Sequence, residues 1–346
     1  MKIDIDVRFT PEILETYLNS QELPICEHAL KTEADIHQYR TATSCDRVFI
    51  GCPDLSLVKE PGKAHELASS CNQLISAIAR RSEGKIYTLA YIPLHNIDKA
   101  LSEIDTCLNE LGMDGVILSG NTNGRFLGDK MFDSVMQKLE KHKATVIVSA
   151  SLHPNTAETG LQLPDFFVDK PCDITRSALN LVLSGTMEKY PTIRWILSEG
   201  GGFLPYIAWR VSLANAMAEY NSKIPAGMMN YMRRFYFVSS HSHTGFQLSS
   251  ILALAGDKHL IYGSGAGSIS LTKVKEQEFA LLRALLDLKA GSMDVDGKHI
   301  LNLFPQCATA GETVQATPRY RHVPVSIQLR QLLLSPLVKI ADRIRK

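Results

Sequence analysis

The sequence predicts a (β/α)₈ barrel, a TIM barrel, with a C-terminal helical extension. Eight apolar runs rich in β-branched residues recur along the first 300 residues, and helical patterns separate them. Several runs are apolar almost throughout, the pattern of parallel strands covered on both faces. No G-x-G-x-x-G follows the first run, which counts against the runner-up, an open doubly wound sheet.

The strand candidates, in order, are KIDIDV (2–7), DRVFIG (46–51), KIYTLAYIP (85–93), DGVILSG (114–120), ATVIVSAS (144–151), RWILSE (194–199), FYFVSS (235–240) and LIYGSG (260–265). Apolar residues fall at helical spacing in HELASSCNQLISAIARR (65–81), ALSEIDTCLNELG (100–112) and KMFDSVMQKLEKH (130–142). The same spacing runs through ITRSALNLVLSGTMEKYP (174–191) and KEQEFALLRALLDL (275–288). Gly112 and Pro191 supply helix stops. The barrel is expected over residues 1–305 and the extension over 306–346. In the extension, ATAGETVQATPRYRHVP (308–324) has loop composition, and an amphipathic helix interrupted by Pro336 follows. From Arg319 onward there are seven Lys or Arg against Asp342 alone. Such a tail suits packing on the barrel or on a second subunit, and a homodimer is expected, with a membrane surface as the alternative.

A formal net charge of +1 in 346 residues gives no general attraction to nucleic acid or anionic lipid. No apolar run approaches the roughly 18 residues of a membrane span, and the opening MKIDIDVRFTPE carries acids unlike a secretory leader. Seven Cys without a CxxC pair point to reduced thiols and a cytoplasmic location. The expected partner is a small-molecule substrate, with no cofactor.

Several stretches resemble amidohydrolase-related proteins of the decarboxylase branch, which includes aminocarboxymuconate-semialdehyde and γ-resorcylate decarboxylases. They are MKIDIDVRFTPE, ELGMDGVILSGNTNGRFLGDKMFDSVMQKLEKHKATVIV, LNLVLSGTMEKYPTIRWILSEGGGFLPYIAWR and SSILALAGDKHLIYGSGAG. The likeness covers residues 1–304. It implies a metal centre with His-x-His on strand 1, His on strand 5 and Asp on strand 8, plus an acid/base or ligand His on strand 6. Here those positions hold Asp6 and Arg8, Ser149, Gly265 and Glu199. A guanidinium stays charged at any working pH and repels a divalent ion. At 4 Å and an effective dielectric of 20, each unit of charge costs about 4 kcal/mol. A family-type metal site is therefore not expected.

The replacement residues suggest a metal-independent lyase-type enzyme performing decarboxylation, hydration or dehydration, or cyclisation or rearrangement. In that reading Arg8 holds a carboxylate, phenolate or enolate, and Glu199 acts as general acid/base with Asp6 as partner carboxylate. Ser149, Ser240 and His241 lie at strand ends where they can contact substrate. So can Asn121 and Arg125 in the loop GNTNGRFLGD, and His153 just past strand 5. An unusual site on this fold suggests a specialised metabolic role. Two alternatives stand beside it. One is an inactive barrel kept as a binding or scaffold subunit, its cavity closed by the Asp6–Arg8–Glu199 charges. The other is a metal site rebuilt from His241 and His243 with Asp6 and Glu199. Gly200, Gly201 and Gly202 serve a sharp strand-to-helix turn or cradle an anion.

Overall fold

A computed structural model describes residues 1–23, 25–56, 58, 60–156, 163–290 and 298–308. Eight parallel strands form one sheet in sequence order. They are β1 (Ile3–Arg8), β2 (Arg47–Gly51), β3 (Ile86–Tyr91), β4 (Gly115–Ser119), β5 (Thr145–Ser149), β6 (Arg194–Leu197), β7 (Tyr236–Val238) and β8 (Leu260–Ile261). Closure is made beyond β8: Ile5 N donates to Tyr262 O at 3.2 Å and Arg8 N to Ala266 O at 2.8 Å, while Gly265 N donates to Asp6 O at 3.1 Å. The expected TIM barrel is the fold observed.

The helices are α1 (Glu12–Ser20), α2 (Glu33–Thr43), α3 (Pro61–Arg81), α4 (Ile97–Asp105), α5 (Asp133–His142), α6 (Asp169–Leu183), α7 (Thr186–Lys189), α8 (Leu204–Val211), α9 (Met228–Met232), α10 (Gly245–Ala255), α11 (Leu271–Asp287) and α12 (Lys298–Leu303). Local sequence sets their ends. Thr32 and Asp35 form a reciprocal capping box at α2, and Pro61 occupies the first turn of α3, where no amide hydrogen is needed. A large apolar cluster fills the space between strands and helices. A second cluster fills the lower barrel axis with Ile3, Ile5, Phe49, Leu89, Ile147 and Ile196.

Helix α12 seals that lower end. Ile300, Leu301 and Phe304 join the axial cluster, and Phe304 packs on Phe49 with ring centroids 4.5 Å apart. Thr145 Oγ1 donates to Leu303 O at 2.5 Å, and Tyr87 Oη to Cys307 O at 3.1 Å. The chain therefore belongs to the barrel floor as far as Cys307. The basic amphipathic segment expected further on lies outside the described residues.

A bulge in β1 places the chemistry. Its pairing with β2 shifts register between Asp4 and Val7. Before the shift Ile3 and Ile5 face the axis, and Asp4 lies behind the strand, accepting from Tyr39 Oη at 2.5 Å and Ser264 N at 3.1 Å. Beyond it both Asp6 and Arg8 reach the barrel axis. An extra residue in one strand re-aims the side chains that follow it.

Candidate functional site

The upper ends of the strands surround a narrow axial cavity of about 30 Å³, lined by Asp6, Arg8, Cys52, Asp54, Ser149 and Ser198 among others. That is room for about one water molecule. Arg8 Nε lies 3.5 Å from Asp6 Oδ1. Burial alone lowers the Arg8 pKa, but the charges of Asp6, Glu199 and Asp54 outweigh it, and the net shift is upward. Arg8 is thus a fixed cation facing three carboxylates, with ion-pair contact to Asp6.

Asp54 was not expected from the sequence. Three residues past β2, it accepts from Tyr91 Oη at 2.9 Å and Ser119 Oγ at 2.6 Å, and from Ser56 Oγ. Tyr91 Oη and Ser119 Oγ also stand 2.7 Å apart, within reach of exchanging one of these bonds. Burial, then the Asp54 charge, pushes the Tyr91 phenol well above its usual range, so it remains a donor. The signal was present: the segment GCPD lies at a strand's C-terminal end, where barrel sites are built.

A second, open cavity has a volume of about 470 Å³. Glu199 lines it, next in sequence to Ser198 of the axial cavity, and so do His241, His243, Phe203 and Phe246. Glu199 and His241 both adopt left-handed backbone, with φ of 53° and 58°. Such strain in non-glycine residues clusters at functional sites. The three glycines after Glu199 have positive φ, and a Cβ on Gly202 would stand 2.2 Å from Pro171 O. The turn thus requires them, which supports the tight-turn role. A Cβ on Gly265 would meet the His241 ring at 3.6 Å, so the imidazole stands beside the position where a strand 8 Asp was expected. Burial, then the neighbouring His241, takes His243 down to about 4, making it a neutral imidazole at neutral pH.

Asp6, Arg8 and Ser149 meet at the axial cavity, and Glu199 and His241 at the outer one. Ser240 is buried at the end of β7. Its Oγ, Ser198 Oγ and Asp6 Oδ2 have no hydrogen-bond partner among the described residues. Each such atom costs about 1–3 kcal/mol unless something bonds it, which marks this end of the barrel as built for polar contents.

Besides Ser240, three expected residues line neither cavity. Asn121 is locked in structure: its Nδ2 donates to Ser151 O at 3.1 Å and to Asp173, and its Oδ1 accepts from Gly124 N at 3.2 Å. Arg125 is exposed and pairs with Asp129 at 3.3 Å. His153 stacks on Phe126 at 5.6 Å. All three serve a small hairpin (121–126), which the polar loop sequence did not reveal.

The donor set does not fit a divalent metal. A guanidinium stands against Asp6, Gly265 offers no side chain, and Ser149 offers only a hydroxyl. Among the described residues no group of three or more His, Cys, Asp or Glu is arranged to hold an ion. His241 and His243 are not joined there by Asp6 and Glu199 into the rebuilt site considered above.

Known proteins place this geometry in context. The chain is 26% identical over 328 residues to a 6-methylsalicylic acid decarboxylase of Aspergillus aculeatus, covering 90% of this chain and 98% of the relative. It is 23% identical over 237 residues to a γ-resorcylate decarboxylase of a Rhizobium species, covering 61% of this chain and 69% of the relative. Among solved structures, a 2,6-dihydroxybenzoate decarboxylase holding 2,6-dihydroxybenzoate superposes with a TM-score of 0.74 at 18% identity, over 88% of this chain and 99% of that one. A dihydroxybenzoic acid decarboxylase of a Polaromonas species, with bound manganese and 2-nitroresorcinol, gives 0.75 at 16% identity over 89% and 98%. These structures share the barrel. The amidohydrolase family model matches residues 3–290, and on that match, over a barrel of the expected topology, the chain belongs to the amidohydrolase family.

Proposed function

We propose that the protein is a lyase-type enzyme that decarboxylates a small carboxylated phenolic or enolic molecule without a bound metal. The observation that carries this reading is Arg8: a fixed cation inside the barrel mouth, facing Asp6, Glu199 and Asp54. The decarboxylase relatives favour carbon dioxide loss over dehydration or ring closure, which the same acid/base groups would also serve.

Electrostatics dictates the order of events. Arg8 is the cation that faces Asp6, Asp54 and Glu199, and it pairs with the substrate carboxylate through its planar fork. Glu199, as general acid, delivers a proton to the carbon bearing the carboxylate. The carbon–carbon bond then breaks, its electron pair restores the ring or enol system, and carbon dioxide departs. Glu199 is left ionised and regains a proton from solvent. The hydroxyls of Ser149, Ser198 and Ser240 lie at the strand ends to bond the substrate's oxygens.

One observation favours the scaffold reading: the axial cavity alone has space for little more than a water. The larger cavity beside Glu199 supports the enzymatic one. Among the described residues no helix is long and apolar enough to cross a membrane. We further propose a cytoplasmic homodimer, which the seven free cysteines suit and light scattering tests.

The reading is tested by incubating chelator-treated protein with a panel of hydroxylated aromatic acids and following carbon dioxide loss by mass spectrometry. Turnover is expected, and Arg8→Ala and Glu199→Gln should abolish it. Turnover only after manganese or zinc is restored would overturn metal independence. Neither binding nor turnover of any acid would favour the scaffold.

A further inference from the structure

We infer that the outer cavity recognises a substrate whose apolar body is larger than one aromatic ring, a fused-ring aromatic acid, an inference that rests on the decarboxylase reading above. Two observations carry it independently of the residues that do chemistry.

The first is size. The axial cavity, at about 30 Å³, takes a carboxylate or hydroxyl and no ring, whereas the outer cavity, at about 470 Å³ and lined by Glu199, has room for the substrate body. That volume is within the roughly 300–1,000 Å³ that holds drug-sized ligands. A single ring would leave most of it empty and most of its walls wet.

The second is the wall itself. Phe166, Phe167, Phe203, Tyr206 and Phe246 line the cavity, and all are exposed, Phe246 by 91% and Tyr206 by 82%. Phe166 and Phe167 stack on one another at 4.5 Å. Large apolar side chains concentrated around one concave surface mark a place that an apolar partner covers. These come from three separate segments, the chain before α6, the start of α8 and the start of α10, so aromatic side chains border the cavity from several sides. Offset stacking on such faces suits a planar, extended π system. Glu199 and His241 line the same cavity, and the Glu199 charge acts on Arg8, so the polar end of that body is turned toward Glu199.

Calorimetric titration with salicylate and with 3-hydroxy-2-naphthoate tests this. The two acids share the same carboxylate and hydroxyl arrangement and differ by one ring. The naphthoate is expected to bind at least about tenfold tighter, because the second ring removes more apolar surface from water. Phe246→Ala and Tyr206→Ala, both at exposed positions that the fold does not need, should bring the ratio of the two affinities toward one. Equal affinities in the unmodified protein, or a ratio untouched by both substitutions, would overturn the inference. The naphthoate binding tightly without being decarboxylated would leave the inference standing and remove the reaction. Decarboxylation of salicylate with no binding of naphthoate would do the reverse.

Discussion

Replacing Arg8 tests both the stability and the chemistry of the barrel mouth. The guanidinium lies 3.5 Å from Asp6 Oδ1, and the two side chains are 21% and 16% exposed. At an effective dielectric of 20 the attraction at that distance is about 5 kcal/mol. Partial exposure screens it, so about 3 kcal/mol is a fair expectation for Arg8→Ala, within the range for breaking a mostly buried pair. The loss has a specific cause: Asp6, Asp54 and Glu199 are left with no cation among them. A double-mutant cycle with Asp6→Asn and Arg8→Met separates this from lost packing. Urea unfolding at neutral pH, followed by Trp fluorescence, is the assay. Arg8→Met should be destabilised less when Asn stands at position 6, with a coupling of at least about 1 kcal/mol. A coupling near zero, with Arg8→Ala costing under about 0.5 kcal/mol, would mean the guanidinium is solvated, and the reasoning about the site would fail.

Three other predictions are simpler. At position 199, where φ is 53°, Glu199→Gly should be more stable than Glu199→Ala by about 1 kcal/mol, the reverse of the usual order; thermal unfolding of the two variants compares them directly. Binding of an aromatic acid should weaken at least about tenfold in Arg8→Met, read by calorimetric titration; an unchanged affinity would contradict the carboxylate-holding role of Arg8. Asp173, buried under the β4–β5 ends, is pushed up to about 7, first by burial, against hydrogen bonds from Ser151 N and Asn121. The folded protein therefore holds a proton that the unfolded chain releases near pH 4, and stability from this group falls as pH rises toward and through 7. Between pH 5 and 8 the loss is about 2–3 kcal/mol, and Asp173→Asn should flatten that part of the stability profile.

The sequence made the barrel legible because its signal is repeated. Each strand carries its own apolar run, and parallel strands buried on both faces leave little room for polar residues. The placing of Asp6, Arg8 and Ser149 at the barrel mouth was also legible, since strand ends locate the site in this fold. Other features depend on events that no pattern announces. The bulge in β1 is one extra residue, yet it turns both Asp6 and Arg8 to the axis. Asn121, Arg125 and His153 read as mouth residues because loop polarity looks the same whether a side chain meets substrate or caps a hairpin. Asp54 was missed because two of its hydroxyl partners, Tyr91 and Ser119, come from distant parts of the chain. The seal by α12 follows a segment whose apolar residues are too few to show a period.

The most direct test is a crystal structure of the protein grown with excess manganese and zinc and soaked with a hydroxylated aromatic acid. Organic cation in place of inorganic one predicts the acid's carboxylate on the Arg8 guanidinium and no metal at the strand ends. An ion bridging the acid to Asp6, with Arg8 swung away from the axis, would contradict it.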